Sequence, residues 1–483
     1  MKVFEAIKRF IRKIFIDYYE IDKICNNNIK MLEEKIANNN ANLKKELINE
    51  NERTREQQQI LTNSIINENT IMQNQINNIM TELNKLKSDF TYTNTELINI
   101  KYDYSLKNIL IIGFFGAPNL GDELMLETLL EYLDKIPNKK ITVLLADNPE
   151  YSIDKYKDIR FIHYPKSLYD FNIMAEQFDY IIFGGGAIID DRHYNAEKSY
   201  QYDLGTMLIK LSIRAIAFNK KVICIALSAS EKIENREYLE KLGYVIQHSH
   251  YFSVRDEFTK KYLAKKLGDE YGKKINQIHD IVFSNKELIK NMLDIRKKKD
   301  RLNIGIVAIS NDGNYEKMQT IINSVNRFNN KVQINLIPFY DYKHIDINFY
   351  NKIISNNKDI NINVEEYPED MNQTINLYKK NDVIIGMRYH SILIAYALNI
   401  PCVSICYDIH EHYPYKIKYL NQIFSKKDAL SYINLEENEI YSELNNILRD
   451  FDNKKDLKVS KQILIEAEEQ IKVIFDTIFN NKN

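Results

Sequence analysis

The sequence contains no tryptophan and only 4 cysteines, 8 prolines and 13 glycines in 483 residues. It has no run of about 18 consecutive apolar residues, so we expect no membrane-spanning helix. Its first residues show no apolar stretch followed by a small-residue cleavage site, and we expect no secretion. A net charge of −1 gives no overall reason to expect nucleic acid as a partner. The sequence is long enough to bury at least two hydrophobic cores.

The scarcity of cysteine favours a reducing compartment. Cys224, Cys402 and Cys406 lie in apolar runs typical of strands, where a small buried side chain is the usual role. Cys402 and Cys406 have no second pair nearby that would complete a zinc site. We therefore predict a cytoplasmic protein without a metal.

Glycine and proline are both missing from residues 1–105, and this segment has the pattern of continuous helix. Residues 1–19 place apolar side chains such as Phe4 and Ile11 at helical spacing, with basic ones such as Arg9 and Arg12 on the other side. A basic amphipathic helix of this kind can lie peripherally in an anionic membrane surface. The alternative is that its apolar stripe packs against a partner helix or the catalytic body.

The rest of this arm has apolar residues in alternating steps of three and four with gaps, as at Ile29, Leu32 and Ile36 and then at Leu43. The pattern is that of a coiled-coil seam interrupted by polar residues such as Asn39 and Asn69. Formation of a homo-oligomer is its simplest role, and a solvated spacer is the alternative.

From Lys107 onwards, strand-like apolar runs alternate with helical patterns, which predicts parallel sheets covered by helices on both faces. The charged stretch at 291–301 resembles a linker. We predict an α/β protein with two Rossmann-like domains facing a cleft, the first at 106–295 and the second at 296–483 with a closing helix near 460–479. The predicted strands are 108–112, 141–145, 180–183, 221–227, 251–254, 278–282, 302–309, 333–338, 361–365, 383–385 and 402–406.

Several loops that follow predicted strands carry glycines or charged residues, and in open α/β sheets such loops hold the ligand. In the first loop, Gly113, Gly116 and Gly121 would let the backbone approach a ligand, although their spacing fits neither a Walker loop nor the dinucleotide fingerprint. Asp122 and Glu123 fall at the start of the next helix. Capping is the simpler role for Glu123, whereas Asp122 could also contact a sugar hydroxyl.

Of the next two loops, the first is rich in glycine and the second contains an arginine that could bind an anion. Gly184, Gly185 and Gly186 reduce bulk at a strand end, although such a loop by itself is usually an ordinary turn. Arg255 directly follows a predicted strand and is a candidate bidentate ligand for an anion. The alternative is a local ion pair between Arg255 and Asp256 that fixes the turn.

The last of these loops contains Arg388 and His390, which point the same way if the backbone between them is extended. An arginine can neutralise a phosphate or carboxylate, and a histidine can transfer a proton near neutral pH. Their position at a strand end facing the predicted cleft favours a function over a purely structural histidine.

Together these loops resemble the motifs of the polysaccharide pyruvyl transferase family, and the resemblance spans about residues 109–419. The matching elements occur in the family's order: NLGDE at Asn119–Glu123, GGG at Gly184–Gly186, SVRDE at Ser253–Glu257, HDIVF at His279–Phe283, RYHSILIAYALNIP at Arg388–Pro401 and YD at Tyr407–Asp408. The first hundred residues have no counterpart in it.

The resemblance implies a GT-B-like fold and an enzyme that transfers a pyruvyl group from phosphoenolpyruvate to a sugar, forming a ketal and releasing phosphate. It implies that Arg255, Arg388 and His390 form the catalytic donor site. It also implies contacts with substrate or donor from Gly116, Asn119, Gly121, Asp122, Gly184, Gly185, Gly186 and His410. The acceptor would be a cell-surface polysaccharide or its lipid-linked precursor at the inner face of the membrane, and phosphoenolpyruvate would be a substrate rather than a cofactor.

Two departures from the family's pattern concern the donor site. The segment Ala226–Ser230 replaces a glycine-rich turn, and His410 stands where family members tend to carry a lysine. A histidine brings the same charge only when it is protonated. The alternatives are therefore a GT-B-like glycosyltransferase that uses a nucleotide sugar and a non-catalytic oligomeric scaffold.

Overall fold

The computed structural model describes residues 27, 30–40, 66–67, 70–71, 74, 105–146, 156, 158–165, 168–194, 203–229, 232–292, 301–328, 332–408, 413–450 and 453–480. The chain forms two compact units, one of residues 1–95, 99–102 and 166–170 and the other of 96–98, 103–165 and 171–483. In the first unit, residues 30–40 are helical, and Leu32 and Ile36 are half-buried. The predicted amphipathic helix at 1–19 and most of the predicted seam lie outside the described residues.

In the part of the chain that the structure describes, no helix combines the length and the apolar character needed to cross a bilayer.

The described residues of the second unit form thirteen strands in two sheets, and every strand pair among them is parallel. The strands are β1 (Lys107–Phe115), β2 (Lys139–Leu145), β3 (Arg160–His163), β4 (Tyr180–Ile189), β5 (Lys221–Ala229), β6 (Tyr251–Val254), β7 (Asn276–Gln277), β8 (Leu302–Val307), β9 (Val332–Leu336), β10 (Ile362–Val364), β11 (Val383–Gly386), β12 (Cys402–Cys406) and β13 (Leu430–Ser431). The first sheet has the order β3-β2-β1-β4-β5-β6-β7 and the second has the order β10-β9-β8-β11-β12-β13.

The helices of the second unit connect these strands and cover the sheets. They are α1 (Leu120–Asp134), α2 (Leu168–Gln177), α3 (Leu204–Ala217), α4 (Arg236–His248), α5 (Glu257–Leu267), α6 (Asp269–Lys274), α7 (Lys286–Lys290), α8 (Tyr315–Asn326), α9 (Ile345–Ser355), α10 (Met371–Lys379), α11 (Tyr389–Ala397), α12 (Tyr413–Ile423), α13 (Glu437–Asp450) and α14 (Asn453–Asn480). The predicted pair of parallel-sheet α/β domains is thereby confirmed.

Burial of both sheet faces explains why the strands could be recognised from sequence. Ile109, Leu110, Ile111 and Ile112 of β1 are all fully buried, so their side chains on both faces contact covering helices. In each sheet the strand order reverses at its first strand, between β1 and β4 and between β8 and β11. Ligands of open α/β sheets bind at such switch points, outside the carboxyl ends of the strands.

One predicted strand is wrong, and three short edge strands escaped prediction. Within the expected strand at 278–282, Ile281–Ser284 forms a 3-10 helix instead. The Asp280 carboxylate accepts a hydrogen bond from the Val282 backbone N–H at 3.0 Å, which turns the chain there. The glycines at 184–186, expected in a loop, belong to β4. The missed strands are β3, β7 and β13.

The last helix, α14, packs on elements of the first sheet, although it follows the second sheet along the chain. The Phe475 ring lies 5.5 Å from that of Tyr132 on α1, and the Phe479 ring lies 4.6 Å from that of Tyr180 on β4. The predicted closing helix thus crosses back and completes the core of the first domain.

We expect Phe475→Ala to lower the free energy of unfolding by about 3 kcal/mol, because this 4% exposed ring would leave a cavity between α14 and α1. Val473→Ala on the same helix is the matched control, since Val473 is 63% exposed. Urea denaturation of both variants measures the difference, and an equal effect of the two would contradict the packing described for α14.

Candidate active site

A cavity of about 440 Å³ lies where carboxyl ends of strands from both sheets meet. Its walls come from the segments after β1, β4, β6 and β11 and from the starts of α3 and α12. The ionisable side chains that line it are those of Asp122, Asp190, Arg192, His193, Asp203, Arg255, Tyr389, His390 and Lys416. Three sequence elements that are far apart along the chain, around Asp122, Arg255 and His390, thus converge on one cavity.

The loop before α1 is joined to the second domain by backbone hydrogen bonds. The Leu120 N–H donates to the Phe339 carbonyl at 2.9 Å, and the Asp341 N–H donates to the Pro118 carbonyl at 2.9 Å. Between these bonds, Asn119 forms an isolated antiparallel bridge with Tyr340. This joint fixes the position of α1 relative to the loop that follows β9.

Gly121 allows the two domains to approach closely at His390. A Cβ atom on Gly121 would overlap the His390 ring at Nδ1. The imidazole therefore packs directly against the backbone of the first turn of α1. In this way a residue of the second sheet's α11 reaches the first domain's side of the cavity.

Arg255 is held in the cavity wall by contacts on two sides. It is 4% exposed, its Nη1 donates to Asp280 Oδ2 at 2.7 Å, and its guanidinium carbon lies 4.4 Å from the centre of the Tyr389 ring. The expected local pair with Asp256 does not form, because the Asp256 carboxylate caps α5 by accepting from the Thr259 N–H. The Nε of Arg255 has no hydrogen-bond partner among the described residues, and a ligand in the cavity could supply one.

Asp280 connects Arg255 with His390. It is 1% exposed, and its Oδ2 lies 3.6 Å from His390 Nε2. Burial favours the protonated acid, but the charge of Arg255, together with His390 and the hydrogen bond from the Val282 N–H, outweighs it and holds the pKa of Asp280 below its ordinary value. Burial lowers the pKa of His390, and the neighbouring Asp280 carboxylate partly opposes that shift. The result is a fixed anion between a guanidinium and an imidazole.

Asp122 lies on the other wall of the cavity. It is half-buried, and a Cβ on Gly186 would lie 3.5 Å from its Oδ1. Burial, together with the charge of Glu123, raises the pKa of Asp122 to about 7, while Arg255 acts in the opposite direction. A carboxylate with this pKa can accept or release a proton near neutral pH.

The remaining residues of the glycine-rich segments have structural contacts. Glu123 is buried and accepts a hydrogen bond from the Gly116 N–H at 2.7 Å, so it fixes the turn rather than caps the helix. A Cβ on Gly184 or Gly185 would meet the side chain of Leu129 or Met125, respectively, on α1. These two glycines therefore let α1 pack on β4, and Gly186 is the one that lines the cavity.

Arg388 lies outside the cavity lining. Its Nε donates to the Ala308 carbonyl and its Nη2 to the buried Asp346, both at 3.1 Å. Asp346 also accepts from the Phe339 and Tyr340 N–H groups, both at 2.7 Å. Because α11 begins at Tyr389, Arg388 and His390 do not alternate as in a strand. Arg388 instead ties together the loops after β8 and β9.

Sequence reasoning did not select four charged residues that line the cavity, Asp190, Arg192, Asp203 and Lys416. It also did not assign a role to Asp280, which pairs with Arg255 in the cavity wall. Lys416 is 8% exposed and lines the cavity beside Arg255 and His390. The sequence signal for Asp280 was its place in the HDIVF element, whereas Lys416 has no motif of its own. His410, predicted to bind the donor, lies outside the described residues.

Comparisons with known proteins identify both sequence and fold relatives. The family model described as polysaccharide pyruvyl transferase matches residues 119–409. No curated protein matches the sequence.

Among solved structures, S. aureus MnaA with UDP has a TM-score of 0.51 at 13% identity and covers 78% of this chain and 97% of its own. A glycosyltransferase from Rickettsia africae ESF-5 has a TM-score of 0.51 at 14% identity, with 78% and 100% covered. At this identity the likeness shows a shared GT-B-like fold of two α/β domains and nothing about ligands.

We expect Gly121→Ala to lower the free energy of unfolding by about 1–3 kcal/mol, because the methyl group of the alanine would overlap the His390 ring. The thermal midpoint should fall as well. Alanine is otherwise the better helix former, so a loss would have to come from this contact. In the His390→Ala background the same substitution should cost at least about 1 kcal/mol less. Equal effects in the two backgrounds would show that Gly121 and His390 do not pack together.

Proposed function

Because the chain belongs to the polysaccharide pyruvyl transferase family, a family of enzymes, we propose that it transfers a pyruvyl group from phosphoenolpyruvate to two hydroxyls of a sugar and releases phosphate. One observation carries this proposal. Within the matched range, Asp122, Arg255 and His390 converge on one cavity and combine a buried cation with two groups that can exchange protons.

The donor fits the charges of this cavity. Phosphoenolpyruvate carries a phosphate and a carboxylate, and a guanidinium binds either through charge-assisted hydrogen bonds. Arg255 is oriented by Asp280 and Tyr389 and still has a buried Nε without a partner among the described residues. Arg388 would support the donor site from outside the cavity, through the loops that it holds. The contribution of His410 remains a proposal based on the family's motif.

The reaction requires one proton to enter the donor and two to leave the acceptor. In our proposal, His390 as an imidazolium protonates the methylene carbon, which becomes a methyl group and leaves a cation at the adjacent carbon. A sugar hydroxyl attacks that carbon and gives its proton to the Asp122 carboxylate. The bond between this carbon and the phosphate oxygen then breaks, and a second sugar hydroxyl attacks the carbon. The departing phosphate takes up the proton of this second hydroxyl. Donor and diol thus become ketal and phosphate.

The acceptor and the cellular setting follow from the family and from the sequence. We propose a cell-surface polysaccharide or its lipid-linked precursor as the acceptor, modified at the cytoplasmic face of the membrane. Residues 1–19 would bring the enzyme to that surface, and the predicted coiled coil would make it a homo-oligomer.

We expect phosphoenolpyruvate to raise the thermal midpoint of the full-length protein with increasing concentration, and UDP to leave it unchanged. A ligand at a hundredfold excess over its Kd stabilises the folded state by about 2.7 kcal/mol. Phosphate release that requires both phosphoenolpyruvate and a glycan fraction would then test turnover. Stabilisation by UDP alone would favour glycosyl transfer from a nucleotide sugar. No stabilisation by either ligand would favour the scaffold alternative.

We expect Asp122→Asn to lower kcat by about a hundredfold or more while the affinity for phosphoenolpyruvate changes little, because the amide cannot accept the hydroxyl proton. In the wild type, kcat should pass through a maximum with pH, because the reaction needs both an ionised Asp122 and a protonated His390. The rise of kcat on the acid side of this maximum depends on the ionisation of Asp122. The variant should lack this rise. If kcat of Asp122→Asn depended on pH in the same way as kcat of the wild type, Asp122 would be excluded as the base.

A further inference from the structure

Lys416 is a buried cation that the proposed reaction does not yet use. It is 8% exposed and lies on α12, with its side chain in the wall of the 440 Å³ cavity. No described residue accepts a hydrogen bond from its ammonium group or forms an ion pair with it. Buried ammonium groups are normally paired, so an anion in the cavity could supply the partner that Lys416 lacks among the described residues.

The charged groups around Lys416 come from several elements and do not neutralise it. Among these groups, Arg255 has the strongest electrostatic effect on Lys416 and repels it. Arg192, which follows the end of β4, also repels it. Asp256 and Asp190 attract it, but the Asp256 carboxylate caps α5 and the Asp190 carboxylate accepts from Arg192 at 2.8 Å. An anion that touched both Arg255 and Lys416 would relieve their repulsion and satisfy both cations.

We propose that Lys416 binds an anionic group of the donor, together with Arg255, on the side of the cavity formed by α12. The inference rests on the proposed function for the identity of the donor. The shared chemistry is a phosphate or carboxylate that accepts hydrogen bonds from an ammonium and a guanidinium. Lys416 would supply the second positive charge that a doubly anionic donor requires, in place of Arg388.

This role gives anion binding a pH dependence of known sign. Burial, with the repulsion from Arg255, lowers the pKa of Lys416 to about 7, so its charge is present below that pH and lost above it. The ionisation of Asp122 adds a negative charge over the same range and weakens anion binding in the same direction. Arg255 and Asp280 stay charged over this range, and His390 loses its charge at lower pH because burial lowers its pKa. The cavity is also lined by the paired Asp190 and Arg192, by His193, and by Asp203 and Tyr389, whose pKa values burial raises.

Calorimetric titration of full-length protein with phosphoenolpyruvate between pH 6 and pH 8.5 tests the proposal. We expect the wild-type affinity to fall about tenfold over this range, and Lys416→Met to bind about tenfold more weakly at pH 6. Lys416→Arg should lose less affinity over this range than the wild type, because a guanidinium stays charged and only the effect of Asp122 remains. Lys418→Met is the matched control, since Lys418 is exposed on the same helix and should behave as the wild type.

Two further variants or ligands keep the result interpretable. In Asp122→Asn, the affinity for phosphoenolpyruvate should still fall with pH by the part that Lys416 causes. If the affinity of this variant did not change with pH, Asp122 and not Lys416 would cause the pH dependence. Wild-type affinity in Lys416→Met at pH 6 would overturn the proposal. If the wild type bound no phosphoenolpyruvate, the proposed function would fail. The same titrations with inorganic phosphate would then decide the role of Lys416: weaker binding in Lys416→Met would support it, and equal or absent binding would refute it.

Discussion

The buried ion pair between Arg255 and Asp280 organises the whole cavity. Removing both charges from water is costly, and the cost is offset here by a 2.7 Å hydrogen bond, by the Val282 N–H and by the Tyr389 ring. Because Asp280 occupies one side of the guanidinium, the other side is left for a ligand. The same carboxylate sets the charge environment of His390, so the cation and the acid of the proposed reaction share one anchor.

Close contact between the two domains is the second constraint. The backbone bonds around Asn119 and the absence of a side chain at Gly121 bring α1 against His390. Asp122, one residue later, then faces the cavity from the first domain while His390 faces it from the second. The acid and the base of the proposed reaction therefore belong to different domains, and their separation depends on how the two domains are joined.

Most of the fold followed from the sequence, because fully buried parallel strands are nearly continuous apolar runs. The strand-end loops also indicated where the cavity would lie. The turn at Asp280 was not predicted, since its apolar neighbours Ile278, Ile281 and Val282 look like a strand until the side-chain cap is seen. Arg388 was expected beside His390, and the start of α11 between them separates their side chains. Lys416 could not be found, because only tertiary packing buries a lysine from a helix rich in tyrosine and lysine.

Because α14 packs on the first domain, the core of that domain is completed only by residues that are synthesised after the second domain. During translation, the surfaces around Tyr132 and Tyr180 emerge long before Phe475 and Phe479 exist to cover them. The first domain therefore spends the whole synthesis of the second with an apolar face exposed to water. The two domains also cannot be separated by a single cut between the sheets, since each fragment would keep one half of this core.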